Sequence, residues 1–389
     1  MLNISDINLK NKTLLIRSDF NVPIDLKGNI ISNIRIKLSL PTIQYALKKG
    51  AKIILASHLG RPIEGQYNPL YSLKNIAIYL EKILHYKVIL EKNYLNGINF
   101  KKNTIILLEN VRFNIGEKNN NQELSQKYAS LCDIFVMDAF ATSHRMHSST
   151  YGIMNFAKQS CAGMLLINEI KNLKKFLKNP KKPIISIIGG SKISTKFNIL
   201  KKLAKLSNKV IVGGGIANTI LSLNNDIGNS LYEPNSVLLA QKIIKKYKNI
   251  IIPVDCRVGT SFSNNTSVKI KKINKILRNE QILDIGDKTI NIIKHELKKA
   301  KTVLWNGPVG VFEFQNFSKG TEEIINAITN NNIFSIVGGG DTISAIELFN
   351  VFNKISYIST GGGAFLKYIE GNKLPVISKL KNILLKNYN

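Results

Sequence analysis

Residues 184–200, IISIIGGSKISTKFNIL, decide the fold. Positions 184 to 188 are all isoleucine except Ser186 and read as a buried strand. Gly189 and Gly190 then turn the backbone with no Cβ in the way. Ser191 reads as an N-cap, and the helix after it carries Lys192 and Lys196. A spacing of four places both ammonium groups on one helical face. Two cations beside a helix start, past the carboxyl end of a strand, stand where open α/β sheets bind ligands, and an anion is the expected guest. In so lysine-rich a chain the pair also reads as two solvated surface residues, and the stretch alone leaves both readings open.

Downstream the same grammar repeats. Residues 209–212 read as a strand entering Gly213-Gly214-Gly215 and a helix from Ile216. Residues 249–254 read as a strand, and 282–286 as a short strand leading into a helix to about Lys299. A strand at 302–305 empties into NGPVGVFE (306–313), one at 334–337 into GGGDT (338–342), and one at 357–359 into TGGG (360–363) and a last helix. Triple-glycine turns let backbone N–H groups approach phosphates closely. Several on one sheet edge indicate a phosphate-rich ligand, and the isolated acid Asp341 suits a nucleotide with Mg²⁺.

Upstream, TLLIRSDF (13–20) is a strand with Arg17 and Asp19 on one side by period two. Arg35 follows from a loop, ahead of a helix from about Pro41 to Lys49. Residues 51–56 form a strand entering SHLGRP (57–62), followed by a helix at 72–84 and a strand at 86–90. A strand at 104–109 ends in NVRFN (110–114). Residues 117–122 read as a polar loop before a helix to about Leu131, and a strand at 134–138 leads into AFATSHRMHSST (139–150). Repeated strand–loop–helix units mean a parallel, doubly wound domain. Four strand ends carry an arginine: Arg17, Arg61, Arg112 and Arg145. With Arg35, His144 and His147 they are expected to form one basic patch with little acid to neutralise it. Residues 163–177, with Leu165, Leu166, Ile170, Leu173 and Leu177 at helical spacing, read as an inter-domain helix.

The chain of 389 residues, 44% hydrophobic, is long enough for two such domains. No apolar run approaches the roughly 18 residues that span a bilayer, and no membrane partner is expected. Three widely spaced cysteines, Cys132, Cys161 and Cys256, argue against a disulfide framework or zinc site and fit a reducing cytoplasm. The net charge of +30 invites a nucleic-acid reading, but lysines are spread along most of the chain and no specific nucleic acid is expected. Against 48 lysines there are only seven arginines, five of them in the first 150 residues. Arginine retained in such a background points to bidentate contact with phosphate or carboxylate. There is no P-loop signature, and Gly213 to Asn218 lacks the third glycine of the dinucleotide fingerprint, which weighs against a nicotinamide-dependent dehydrogenase. An arginine–histidine patch on one domain and a glycine-built nucleotide seat on the other suggest phosphoryl transfer.

Eight segments carry a resemblance: SDFNVP (18–23), SHLGRP (57–62), LLENVRFN (107–114), DAFATSHRMHSS (138–149), GGSKISTK (189–196), LWNGPVGVFEF (304–314), VGGGDT (337–342) and STGGGA (359–364). In these, and along its whole length, the chain resembles the phosphoglycerate kinases. The resemblance implies two doubly wound parallel-sheet, Rossmann-like α/β domains joined by a helix, with a hinge and an inter-domain cleft. The expected boundaries are 1–162 for the phosphoglycerate-binding domain, 163–180 for the helix, 181–370 for the nucleotide-binding domain, and 371–389 for a tail returning to the first. The implied activity is reversible, Mg²⁺-dependent phosphoryl transfer between ATP and the carboxylate of 3-phosphoglycerate, giving ADP and 1,3-bisphosphoglycerate, by a cytoplasmic monomer that closes about its hinge.

Residue by residue, the resemblance implies that Arg17, Asp19, Phe20, Asn21, Arg35, His58, Leu59, Gly60, Arg61, Arg112, Arg145 and His147 hold the phospho acid. Arg35, Lys192 and Lys196 meet the transferring phosphoryl. Lys196, Glu313, Gly339, Gly340, Asp341 and Thr342 bind the nucleotide, with Asp341 toward Mg²⁺. Thr360, Gly361 and Gly362 form a helix start for the transferred phosphate. Ala141 and Ser143 depart from the family's usual Gly and Ala, Gln315 from a frequent Pro, and Lys367 from a frequent acid.

Overall fold

The computed structural model describes residues 1–25 and 27–386. The chain divides into two compact units, residues 1–171 together with the segment from Asn372, and residues 172–371.

The first unit runs β1 (Thr13–Arg17), α1 (Ile34–Lys48), β2 (Lys52–Ala56), α2 (Lys74–Leu84), β3 (Lys87–Glu91), β4 (Thr104–Leu108), α3 (Gln122–Ser130), β5 (Ile134–Met137) and β6 (Gln159–Ala162). Its sheet is parallel throughout, in the order β3-β4-β2-β1-β5-β6. The chain winds outward from β1 on one side and then returns to its other side at β5, so the topological switch lies between β1 and β5. Arg17 pairs in register with Ala56 and with Met137. The loops after β1, β2 and β5 therefore leave the sheet at one level, on its carboxyl edge, where such folds bind ligands. Leu14, Ile16, Ile53, Leu55, Ile105, Leu107 and Val136 alternate into a core shared with Ile36 and Ile43 of α1.

One boundary differs from expectation. The helix does not begin at Pro41; it starts at Ile34 and carries Pro41 inside. A proline there removes one helical N–H, and the carbonyl it frees belongs to Lys37, an exposed residue. Arg35 therefore sits in the first turn of α1 and does not arrive from a loop.

Helix α4 (Met164–Lys178) leads out of the first unit. The second unit follows with β7 (Ile184–Ile188), α5 (Ile193–Leu206), β8 (Lys209–Val212), α6 (Gly214–Leu221), α7 (Val237–Lys246), β9 (Ile250–Ile251), β10 (Asp255–Gly259), β11 (Lys269–Lys272), β12 (Gln281–Ile285), α8 (Asp287–Lys299), β13 (Thr302–Asn306), α9 (Lys319–Thr329), β14 (Phe334–Gly338), α10 (Gly340–Leu348), β15 (Tyr357–Ser359) and α11 (Gly362–Glu370). Helix α12 (Pro375–Lys386) ends the described chain and belongs to the first unit, where the Val376 N–H reaches the Ser143 carbonyl at 3.3 Å.

The main sheet of the second unit is again parallel, in the order β15-β14-β13-β7-β8-β9. Its switch lies between β7 and β13, so the stretch at 184–200 occupies the central crevice. Ile188 is level with Asn306 and with Val212, and Gly338 with Ser359. All the glycine turns therefore share one edge. Trp305 is fully buried and satisfies its indole N–H on the Gly307 carbonyl at 2.8 Å. A second, antiparallel sheet, β11-β10-β12, was not expected from the pattern of helix-alternating strands. Its β11, KIKK, is lysine-rich and mostly exposed, so it carries no hydrophobic run to betray it.

Candidate active site

The first unit carries its cationic residues on five segments: the end of β1, the start of α1, and the loops after β2, β4 and β5. Arg17, at the end of β1, is buried to 1% exposure. Its Nε donates to Ser149 Oγ at 3.0 Å, one terminal nitrogen donates to the Ser18 carbonyl, and the other meets His58 Nδ1 at 3.3 Å. Arg35 is ion-paired with Asp19 at 2.6 Å, and the other oxygen of Asp19 lies 3.8 Å from His58 Nδ1. Asn21 accepts the Gly60 N–H at 2.8 Å, while Arg112 donates to the Gly60 carbonyl. Gly60 has φ +61, and a Cβ there would strike the Tyr71 ring at 2.3 Å, so glycine is required at this turn. Arg145 donates to His144 Nε2 at 3.1 Å. Arg61 is exposed in the loop after β2. Phe20 and Leu59 point their side chains into the hydrophobic core, so a ligand meets them only through their backbone.

Burial and crowding of like charge set the protonation of this cluster. Burial, then Arg17, Arg112, Arg35 and Arg145, hold His58 well below its ordinary range, so the ring is neutral. His147 is pulled down to about 3 by burial and the same kind of neighbours, and burial lowers Arg112 to about 10.

The expectation that this patch lies among almost no acid needs correction. Glu117, read as part of a polar loop, is completely buried. It accepts the Ser149 hydroxyl at 2.6 Å and the Ser149 N–H at 3.0 Å, and stands 3.9 Å from His147 Nδ1. Burial raises its pKa, opposed chiefly by Arg17. The one available signal was scarcity, since the chain has only 25 acids against 55 bases. Ala141 is accommodated within a 3₁₀ turn, Phe140–Thr142.

In the second unit the seat is mostly backbone. A Cβ on Gly189 would lie 1.7 Å from the Pro308 carbonyl oxygen, so β7 and the loop after β13 touch through bare backbone. Gly190 has φ +120. Two expectations at this turn are overturned. Ser191 is not the N-cap; Lys192 holds that position, in extended conformation and without a capping side chain. The cap is instead supplied from outside by Glu233, which accepts the Ser194 N–H at 2.8 Å and its hydroxyl at 2.6 Å. Because Lys192 lies outside the helix, the spacing of four does not pair it with Lys196. Lys196 turns back over the switch, donating to the Gly189 carbonyl at 2.7 Å and the Asn306 carbonyl at 3.4 Å. Burial lowers its pKa to about 8, and Asp341 works in the opposite direction.

Gly213, Gly339 and Gly361 are the N-caps of α6, α10 and α11, so the first triple-glycine turn opens a helix at Gly214, earlier than expected. Thr342 accepts the Gly307 N–H at 2.7 Å and ties α10 to the loop after β13. Asp341 is exposed in the first turn of α10, and Thr360 is buried ahead of α11. A cavity of about 280 Å³ is lined by Gly190, Gly214, Phe262, Val309, Glu313 and Asp341 among others. Phe262 packs against Phe314 with ring centroids 4.9 Å apart and planes tilted by 60°; motif reading missed Phe262 as part of the cavity's apolar wall because it comes from the loop beyond β10. Of the arginines outside the first unit, Arg257 is buried in a pair with Asp287, and Arg278 is exposed; neither lines this cavity.

The chain is similar to known proteins along nearly its whole length. The family model for phosphoglycerate kinase matches residues 4–372. A phosphoglycerate kinase of Buchnera aphidicola subsp. Schizaphis graminum is 57% identical over 378 residues, covering 97% of both chains. The structure of phosphoglycerate kinase from Coxiella burnetii superposes with a TM-score of 0.87 at 44% identity, covering 98% of this chain and 99% of that one. That of the Pyrococcus horikoshii enzyme gives 0.85 at 30% identity, with 98% of each covered. The chain belongs to the phosphoglycerate kinase family, whose members transfer a phosphoryl group between a nucleotide and the carboxylate of 3-phosphoglycerate.

Proposed function

We propose that the arginine–histidine cluster of the first unit seats 3-phosphoglycerate or 1,3-bisphosphoglycerate, and that the glycine-built edge of the second seats ATP or ADP with Mg²⁺. The observation that carries the first assignment is the register of β1, β2 and β5. It brings Arg17, His58 and the Arg145–His147 loop to one sheet edge, where Asp19 and Glu117 are too few to neutralise them. A small acid with several negative charges fits such a seat. Arg17, Arg35, Arg61, Arg112 and Arg145 supply charge, His58 and His147 neutral ring contacts, and Asp19, Asn21 and Gly60 set the loops.

On the nucleotide side, Glu313 and the apolar wall of the 280 Å³ cavity receive the nucleoside, and Gly339, Gly340 and Thr342 the phosphates. Among the described residues no three His, Cys, Asp or Glu side chains cluster to cage a metal. One exposed carboxylate, Asp341, fits Mg²⁺ held mainly by phosphate oxygens and water. Bound there, the ion would neutralise developing charge on the phosphates.

The acceptor carboxylate is already ionised at neutral pH, so no general base is required. The chain's own contribution is position and charge. Arg35 meets the transferring group from the substrate side; Lys196 and Lys192 meet it from the nucleotide side. The amide groups at Thr360, Gly361 and Gly362 open α11 and receive the transferred phosphate. Transfer requires the two seats to close on each other and exclude water, or ATP would be hydrolysed. We place the enzyme in the cytoplasm as a monomer; its three cysteines, all free and buried, are compatible with a reducing compartment. No helix among the described residues is long and apolar enough to cross a membrane.

A coupled assay with ATP, Mg²⁺ and 3-phosphoglycerate tests the reading. ADP release that depends on 3-phosphoglycerate is expected; ADP release indifferent to it would overturn the assignment.

A further inference from the structure

The arginine cluster contains one group with no evident part in ligand binding. Glu117 has no exposed surface, yet it lies beneath residues that face a ligand. A carboxylate completely removed from water is costly unless it is well paired.

Its pairing runs in one direction. Ser149 Oγ has a single proton and stands between Arg17 Nε at 3.0 Å and Glu117 Oε1 at 2.6 Å. A guanidinium cannot accept a hydrogen bond and an ionised carboxylate cannot donate one. The serine proton therefore points to Glu117, and its lone pair receives Arg17. The Ser149 N–H occupies the second carboxylate oxygen at 3.0 Å. The Ser148 N–H binds the Glu117 carbonyl at 2.9 Å, so the two segments are strapped together along their backbones. At the far end, Arg17 donates to His58 Nδ1. Nδ1 must then be the acceptor, which puts the ring proton on Nε2.

We propose that Glu117 is a positioning residue for the phospho-acid seat: through the Ser149 hydroxyl it fixes the Arg17 guanidinium, and through Arg17 it fixes His58 as the Nε2–H tautomer. This rests on the reading that the arginine cluster seats 3-phosphoglycerate. The carboxylate balances the buried guanidinium from behind, leaving the ligand side of the cluster cationic. Direct pairing of Arg17 with an acid on the ligand side would instead compete with the substrate.

The alternative is that Glu117 acts only as a charge. A negative charge under an anion seat weakens anion binding, so its removal would then lower KM for 3-phosphoglycerate. Positioning predicts the reverse. Glu117→Gln, nearly isosteric, is expected to raise KM for 3-phosphoglycerate roughly tenfold, as loss of a charge-assisted hydrogen bond does, with KM for ATP within about twofold of the parent. Ser149→Ala keeps the charge but cuts the relay, and is expected to shift KM the same way. The double variant should be no worse than Glu117→Gln alone, because both changes break one chain of contacts. Imidazole ¹⁵N spectra should show His58 as a single Nε2–H tautomer in the parent and as a mixture in both variants.

A KM that falls or stays unchanged in Glu117→Gln would overturn the proposal. So would additive effects in the double variant, or an unaltered His58 spectrum. Arg61→Lys, measured alongside, separates the two levels: if it raises KM for 3-phosphoglycerate while Glu117→Gln does not, the seat stands and the relay falls. If neither does, the seat itself is misassigned.

Discussion

On the proposed reading, the two seats hold anions by opposite means. In the first unit, the charge lies in side chains: Arg17, Arg112, His58 and His147 are buried or nearly so, with Arg17 against His58 and Ser149, Arg112 on the Gly60 carbonyl, and His147 beside Glu117. In the second the seat is mostly backbone, with helix starts at Gly213, Gly339 and Gly361 and two nearby charges of opposite sign, Lys196 and Asp341. A small, densely charged acid offers little surface, so charge must recognise it. A nucleotide has an apolar base and brings a cation for its phosphates, so amide groups and a shaped wall suffice. The first seat is therefore sensitive to which cation stands where, and the second to whether a Cβ is present.

The largest expected effects are where the two strategies meet the reacting group. Arg35→Ala and Lys196→Ala should each lower kcat roughly 10²-fold or more with folding intact, since each removes charge that matters most in the transition state. Near-normal turnover in either variant removes that residue from the mechanism. Next comes a contrast between glycines. Gly189→Ala drives a methyl group into the Pro308 carbonyl and should destabilise the protein by about 3 kcal/mol, visible as a lower Tm. A methyl group on Gly340 would meet nothing within 4 Å, so Gly340→Ala should keep its Tm and raise KM for ATP several-fold, roughly three to ten. A Gly340→Ala enzyme with unchanged KM would argue that phosphates do not approach that turn.

Arg61→Lys should raise KM for 3-phosphoglycerate by roughly three- to tenfold, because an ammonium cannot replace a bidentate fork; an unchanged KM would leave Arg61 a surface residue. The smallest effect concerns pH. Lys196 in the free enzyme loses its proton through about pH 8, so kcat/KM for ATP should decline as pH rises through that value. The sign follows from charge, since the ammonium attracts phosphate and the free amine does not. A profile flat well above pH 8 would exclude the Lys196 proton from nucleotide capture.

Much of this was legible in the sequence. The strand–loop–helix punctuation places both parallel sheets, because a buried parallel strand needs a mostly apolar run and a tight exit. Four isoleucines around Ser186 at 184–188 and glycine at 189–190 meet both needs within seven residues. The scarcity of arginine singled out Arg17, Arg35, Arg112 and Arg145, whose charges all act on His58, because lysine would serve wherever only solubility is required; Arg61, singled out in the same way, is exposed in the loop after β2. Illegible features were those whose signal lies elsewhere in the chain. Glu233 caps α5 from 39 residues away, so a local reading credited Ser191. In the small antiparallel sheet only β12 was legible as a strand; β10 and β11 are set by pairing and not by pattern.

Glu117 shows the division most clearly. Composition and motif order by themselves determined the fold class and the sheet edges from which the arginine-bearing loops and the glycine turns leave, since those follow from hydrophobic period and local turn chemistry. Only the folded chain decided that an acid in a polar stretch is buried under Arg17, that Lys192 lies outside the helix that carries Lys196, and that Arg35 lies in the first turn of a helix. Burial and long-range hydrogen bonding depend on which distant segments become neighbours, and register and topology set that only once the sheets have formed.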